Sequence, residues 1–399
     1  MQLTFYGMCA LLVLFCAAKA ESSSYYVATT GNDSNPGTKG SPFFTIQKCV
    51  DVVIAGDTCL VGDGTYTDTD GNGIVVYIRK SHADGTAVNP ITIKSVNPFM
   101  ARIELPGVDA QNAGFRIGRS YYIIEGFEIT GGAGGGKNAS TAGVVFTSGS
   151  SGSIVRNNII HHIGSTICSS SVFGISGVFA DDNPSNITIT NNRIYSVGRL
   201  RIGENGCSLA ATPLQQNDHG IYIKNVNGLT ISRNLFYDTN RGFAIALGTG
   251  TMSNVSVYHN TWVGGSPTGT PSGQIILSGV LTNVSIKNNI SYGAVGGMVN
   301  FYTVVASNVT ISSNLSDMPE KLRSYIGVTF SNNIAGSASL GFVDPSKNDF
   351  RLTRESPAIN RGTTIGVPPV KDGAPDIGCY EFSEQDSSVP SIPIGLAIK

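Results

Sequence analysis

Between Gly143 and Asp317 the chain repeats itself, and the repeat leaves few folds open to it. Each unit begins with a glycine and a short apolar run: Gly143-Val144-Val145-Phe146, Gly177-Val178-Phe179-Ala180, Gly220-Ile221-Tyr222-Ile223, Gly242-Phe243-Ala244-Ile245, Gly273-Gln274-Ile275-Ile276 and Gly297-Met298-Val299-Asn300. A second strand follows that ends in asparagine, placing Asn158, Asn192, Asn234, Asn260, Asn289 and Asn314 in register at separations of 34, 42, 26, 29 and 25 residues. The base unit is thus about 25 residues, with insertions in the first two intervals. It holds short strands and no helical period, which predicts an all-β, single-stranded parallel β-helix rather than a sandwich. Successive coils stack at about 4.8 Å, so like residues sit on like. The stacked asparagines then hydrogen-bond along the axis, and Asn289 and Asn314 read as ladder members before they read as glycan acceptors.

The ends of a solenoid expose strand edges and need covers. Thr45 to Val53 has helical spacing and precedes the strand Cys59-Leu60-Val61, which predicts an N-terminal helical cap. The ladder is expected to lapse from Met318 onward, with an irregular C-terminal cover over Phe342 to Phe382. Three segments follow: a signal peptide over 1–20, ending Ala18-Lys19-Ala20 after the apolar run Met8 to Ala18; one β-helix domain over 21–382; and a loose tail over 383–399. The apolar run is too short to span a bilayer, and no later segment approaches the roughly 18 residues a membrane helix needs. Secretion is therefore expected, as a monomer without a membrane span. A formal net charge of −1 argues against a bulk electrostatic nucleic-acid binder.

An oxidising compartment permits disulfides, and five cysteines follow the signal. The two natural pairs are Cys49 with Cys59 and Cys168 with Cys207, leaving Cys379 over, although sequence alone does not fix connectivity. Eight Asn-x-Ser/Thr sequons, at Asn32, Asn138, Asn186, Asn254, Asn283, Asn289, Asn308 and Asn314, are candidate glycan acceptors in a eukaryotic host.

The opening YYVATTGNDSNPGTKGSPFFTIQKCVDVVIAGDTCLVGDGTY, the asparagine ladder, and the closing DFRLTRESPAINRGT with PDIGCYEF resemble the secreted right-handed parallel β-helix proteins of the pectate-lyase-like superfamily. The resemblance spans about Tyr25 to Phe382. It implies a right-handed coil and action on a polysaccharide. The reaction stays open, because that superfamily includes lyases, hydrolases, epimerases and noncatalytic adhesins.

Aligning the units on their glycines sorts the outward side chains, since alternate residues of a strand face opposite ways. Titratable groups concentrate on three adjacent coils: Asp181 on one, His219, Tyr222 and Lys224 on the next, Arg241 on the third. Asp181 should neighbour Lys224, and His219 should neighbour Arg241. The insertion from Gly198 to Asn217, carrying Arg199, Arg201 and Glu204, is expected to overhang this face as a substrate-binding wall.

Such a strip suits β-elimination from a uronate polymer, where a base removes the C5 proton and a cation stabilises the enolate-like state. Lys224 or His219 is the candidate base, Arg241 the carboxylate clamp, and Tyr222 the proton donor or stacking platform. A lysine acts as base at neutral pH only with a lowered pKa, which Arg241 beside His219 or a bound Ca²⁺ would supply. Asp181 and Asp182 are the candidate Ca²⁺ ligands, or else the acid and base of a polygalacturonase-like hydrolase, with Asp218-His219-Gly220 matching part of that family's pattern. A noncatalytic, glycan-binding or structural β-helix is the third alternative. Asp68-Thr69-Asp70-Gly71-Asn72-Gly73 reads as a polar turn, and Trp262 as either a sugar platform or a core plug.

Overall fold

The computed structural model describes residues 22–383 except 108–111, 132–140, 170–173, 201, 209–216, 239–241, 265–272, 295–296, 319–323, 338 and 371–372. The expected signal segment, the tail from 384 onward, Asn138, Arg201 and Arg241 therefore lie outside the described residues.

The chain is a right-handed parallel β-helix whose coils each contribute strands to three faces. One coil runs through Thr141–Phe146, Ile154–Arg156 and Ile159–His161; the next through Ile175–Ala180, Ser185–Thr190 and Arg193–Tyr195; the next through His219–Ile223, Val226–Ser232 and Leu235–Tyr237. The residues after each ladder asparagine, which the sequence pattern runs together with the second strand, belong to a separate third face, which has ten parallel strands among the described residues. In-register stacking puts identical chemistry in columns. Ile124, Val155, Ile189, Ile231, Val257, Ile286 and Ile311 pair in sequence down the second face, all fully buried. Each such side chain removes about 2 kcal/mol worth of apolar surface from water.

The ladder forms as expected at the corner between the second and third faces. Asn234 Nδ2 donates to Asn260 Oδ1 at 3.0 Å, Asn260 to Asn289 at 3.0 Å and Asn289 to Asn314 at 2.9 Å. The second hydrogen of each amide goes to a main-chain carbonyl of the preceding coil, and each Oδ1 also accepts the main-chain N–H of the asparagine before it. The column does not stop at Asn314, as the sequence led us to expect, but continues to Asn333, whose Oδ1 accepts from Asn314 at 3.0 Å.

A second column explains four of the eight sequons. At the corner between the first and second faces the backbone turns through positive φ at Gly152, Asn186, Gly228, Asn254, Asn283, Asn308 and Gly327. Asparagine and glycine tolerate that conformation, and the strand that follows places a hydroxyl residue outward two positions on. The exposed sequons at Asn186, Asn254, Asn283 and Asn308 are thus produced by the turn. Asn289 and Asn314 are buried in the other ladder.

At the N-terminal end the helix Ile46–Val50 plugs the first coils with Ile46, Cys49 and Val50, and Thr45 caps it by accepting from the Lys48 N–H at 3.0 Å. Cys49 is bonded to Cys59. Gln47 covers an open strand edge: its amide accepts from the Tyr77 N–H at 2.8 Å and donates to the Tyr77 carbonyl at 3.2 Å.

The C-terminal segment is not an end cap. It lies along the third face, where Leu340, Leu352, Ala358 and Ile377 pack on Ile290 and Leu315, and Phe350 and Cys379 pack on Leu235 and Tyr237. Cys379 is free and buried, which pushes its thiol up to about 12. Trp262 is a core residue with no exposed surface, and the Asp68 to Gly73 segment is a turn in which Asp68 accepts the N–H groups of Asp70, Gly71 and Gly73.

Candidate functional site

The outer side of the first face carries the candidate site, and a backbone irregularity at the leading glycine decides what points there. Pairing skips that residue: Ala142 pairs with Ser176 and then His219, while Val144 pairs with Val178 and then Ile221. A Cβ on Gly143 would lie 2.9 Å from the Ile160 side chain in the core. Gly143 and Val144 thus both face the core, the residues on either side of that pair project outward, and Ala142 and Val145 join Ile74 and Ala113 in one outer apolar cluster against Tyr77 and Phe179.

Two outer columns matter. The first runs Tyr77, Arg116, Val145, Phe179, Tyr222, Ala246. The second lies at the strand ends, where main-chain hydrogen bonds place Thr147, Asp181, Lys224 and Gly248 one above the other. Alignment on Gly242 is two residues out of register, because the residue paired with Gly220 is Ala244 and the residue beside His219 is Phe243. The juxtaposition of His219 with Arg241 read from sequence is thereby corrected. Arg241 itself lies outside the described residues.

Asp181 and Lys224 do meet. Lys224 Nζ donates to Asp181 Oδ2 at 3.0 Å, Asn225 Nδ2 donates to Oδ1 at 2.9 Å, and the Asp182 N–H donates to Oδ1 at 2.8 Å. Partial burial pushes the Asp181 carboxyl up, but the Asn225, Asp182 and Lys224 hydrogen bonds outweigh it and hold its pKa below the usual carboxylate range. The hydrogen bond to Asp181 raises the Lys224 ammonium above its ordinary value. Tyr222 lies beside this pair and over Gly248, where a Cβ would come within 2.2 Å of its ring.

His219 shares the face but not the surface. It is 5% exposed, its ring centroid stands 4.8 Å from that of Tyr222 and 5.9 Å from that of Phe243, and Nδ1 is buried without a hydrogen-bond partner among the described residues. Burial lowers its pKa to about 3, so the imidazole is neutral at ordinary pH. Lys224, with a side chain 36% exposed, is the more accessible of the two base candidates.

Arg199 is not part of a substrate wall. Its side chain is buried, and its guanidinium donates to Asp218 through Nε at 3.0 Å and Nη2 at 2.8 Å. Asp218 also accepts the Arg199 and Ile175 N–H groups, so this pair fixes the start of the insertion against the coil that carries His219. The disulfide Cys168–Cys207 ties the same insertion to the loop of the preceding coil.

A calcium cage takes six to eight oxygens. Asp181 spends its oxygens on an ammonium, an amide and a main-chain N–H, and among the described residues no three His, Cys, Asp or Glu side chains are grouped to hold a metal ion. Asp181 and Asp182 as arranged do not fit that ion, and no step below runs through it.

Beside Asp181 and Asp182 the face sinks into a groove of about 160 Å³ whose other walls include Arg116, Val145, Thr147 and Phe179. Arg116 is the residue that the sequence reading missed. Gly114-Phe115-Arg116-Ile117 has the form of the repeat one coil before Gly143, and starting the alignment there would have placed an arginine in the Tyr222 column.

Residues 25–212 match the model of the Pel9A-like right-handed beta helix region. The chain is 24% identical over 403 residues to pectate lyase L of Dickeya dadantii (strain 3937), covering 90% of each. It superposes on the crystal structure of pectate lyase Pel9A with a TM-score of 0.55 at 18% identity, covering 92% of this chain and 98% of that one. An alginate lyase from Paenibacillus sp. str. FPU-7 gives a TM-score of 0.52 at 17% identity over 79% of this chain and 98% of that one. These likenesses to solved structures speak to the fold, the pectate-lyase-like right-handed β-helix. No helix among the described residues is long and apolar enough to cross a membrane.

Proposed function

We propose that this chain is a secreted, monomeric polysaccharide lyase that cleaves a uronate-containing polysaccharide by β-elimination across the outer groove of its first face. The carrying observation is the Asp181–Lys224 pair, set on stacked strand ends beside Tyr222 and a groove lined by Arg116 and Phe179. The similarity to a pectate lyase over 90% of both chains supports the same reaction class.

In this reading Lys224, as the free amine, takes the proton from C5 of a uronate. The C5–H electrons form the C4–C5 double bond, the C4–O4 bond breaks, and the Tyr222 hydroxyl supplies the proton to the departing oxygen. No water is consumed, which separates this from hydrolysis. Asp181 orients the lysine and is vacated as the substrate enters. A hydrolase would use Asp181 and Asp182 as its acid and base, but Asp181 is engaged by Lys224, Asn225 and the Asp182 N–H, and Asp218, which the hydrolase pattern brings forward, is buried on Arg199.

The test is a panel of purified acidic and neutral polysaccharides, read both by the ultraviolet absorbance of unsaturated uronides and by reducing ends. Lys224→Ala should lower the appearance of unsaturated product by on the order of 10²- to 10⁴-fold with an unchanged far-ultraviolet β signal. New reducing ends without absorbance would replace the lyase with a hydrolase. Absence of any cleavage would leave a noncatalytic glycan binder.

A further inference from the structure

The helix Ile46–Val50 plugs the N-terminal end of the solenoid, and among the described residues no helix covers the other end. The last long strand, Val299–Ser312, meets a further strand only through Val309 to Ser312, so Val299 to Ala306 form a sheet edge among the described residues. The core opens with that edge. Leu247 and Leu277 stack as inward residues of the preceding coils and are fully buried, whereas Phe301, next in the same column, is half-buried. Tyr325 stacks on Phe301 with ring centroids 4.4 Å apart and donates to the Val304 carbonyl at 3.3 Å. Val304, Val305, Ala306, Ser324, Tyr325 and Ile326 line an open recess of about 780 Å³, in which Val305 is 67% and Ile326 91% exposed.

A bare strand edge beside an apolar recess invites association unless something covers it. The chain carries a segment of fitting chemistry outside the described residues. After the mainly polar stretch 383–391, Ile392, Ile394, Leu396 and Ile398 alternate with Pro393, Gly395 and Ala397. In extended backbone the four aliphatic side chains share one face and the smaller residues the other. Pro393, without an N–H, suits the outermost position of a sheet and ends pairing there. The described chain brings this segment to the right end, because Phe382 packs against the cluster built on Ile290 and Leu315, third-face residues of the coils next to the edge. The recess lies at the far corner of the last coil, across a face whose strand from Val305 to Ser312 spans roughly 25 Å. Residues 383–391 reach about 30 Å when extended, enough to cross it.

We propose that residues 392–398 dock on this open end, with their aliphatic face in the recess against Val305, Tyr325 and Ile326, so that the chain supplies its own C-terminal cap. The cap and a second solenoid compete for the same apolar end, and the covered end keeps the protein from stacking on its own copies. This does not depend on the reaction assigned to the groove of the first face.

The experiment is amide hydrogen exchange of the full chain, read by mass spectrometry over peptides spanning Val299 to Ala306, with sedimentation alongside. Ile394→Asp from one side and Val305→Asp from the other should each speed exchange there by about tenfold or more, and the double variant should add little, because each removes the same contact. Peptides from the helix-plugged coils should not change. A chain ending at Ser383 should show the same faster exchange and associate as concentration rises, while the full chain stays monomeric. Exchange that Ile394→Asp leaves unchanged, or losses that add in full in the double variant, overturn the cap. Association of the full chain that Val305→Asp abolishes overturns it too and assigns the end to a second copy.

Discussion

The ammonium nitrogen of Lys224 lies 3.0 Å from Oδ2 of Asp181, although 43 positions separate the two residues in the chain. Solenoid stacking alone brings them together, since each ends the first-face strand of its own coil. The contact also raises the lysine pKa, with Tyr222 and Asp182 adding to the effect, so the free amine is scarce at neutral pH.

A pH dependence follows. A reaction that needs neutral Lys224 speeds up as pH rises toward its elevated pKa. Asp181→Asn removes the main cause of that elevation, so the ascending limb of the kcat/KM profile should move to lower pH. A limb that stays in place would show that another group takes the proton. Stability should change little, by about 1 kcal/mol or less, because this is a partly exposed pair.

Gly248 should prove sensitive for a reason unrelated to its backbone freedom. A methyl group there would fall 2.2 Å from the Tyr222 ring. Gly248→Ala should displace Tyr222 and lower kcat while the far-ultraviolet spectrum is retained. Tyr222→Phe, which keeps the ring but not the hydroxyl, should lower kcat without that displacement.

Arg199→Ala should act on stability rather than on KM. It strips a fully buried carboxylate of its cation, which costs about 3–5 kcal/mol and should show as a large fall in the denaturant midpoint. Replacing both partners, as in Arg199→Met with Asp218→Leu, should recover little of that loss, because Asp218 also accepts the buried Arg199 and Ile175 N–H groups. A KM effect at full stability would restore Arg199 to the substrate wall.

The two asparagine columns should respond differently. Asn260→Ala deletes an acceptor used by both the N–H and the side chain of Asn234, and a donor to Asn289, all buried, for a cost of about 3 kcal/mol or more. Asn283 sits at φ 55° on the surface, so Asn283→Gly should be close to neutral in a urea melt and Asn283→Ala should cost about 1 kcal/mol.

The repeat made the architecture legible because each coil must satisfy the same local demands: an aliphatic residue inward, an asparagine at the buried corner, a positive-φ residue at the other. Those demands recur in the sequence itself, so the β-helix, its ladder, its N-terminal plug and the nearness of Asp181 to Lys224 could be read from spacing. What spacing could not carry was register across insertions and irregularities. The skipped glycine turned His219 outward yet beneath its aromatic neighbours, and a two-residue offset at Gly242 set Phe243 where Arg241 was expected. Burial likewise depends on contacts far apart in the chain: it took Arg199 into an ion pair with Asp218, laid the C-terminal segment along the third face, and drew Arg116 into a groove with Asp181. Local pattern fixes what each coil is; only the stacking of unlike loops decides which of its side chains a ligand can touch.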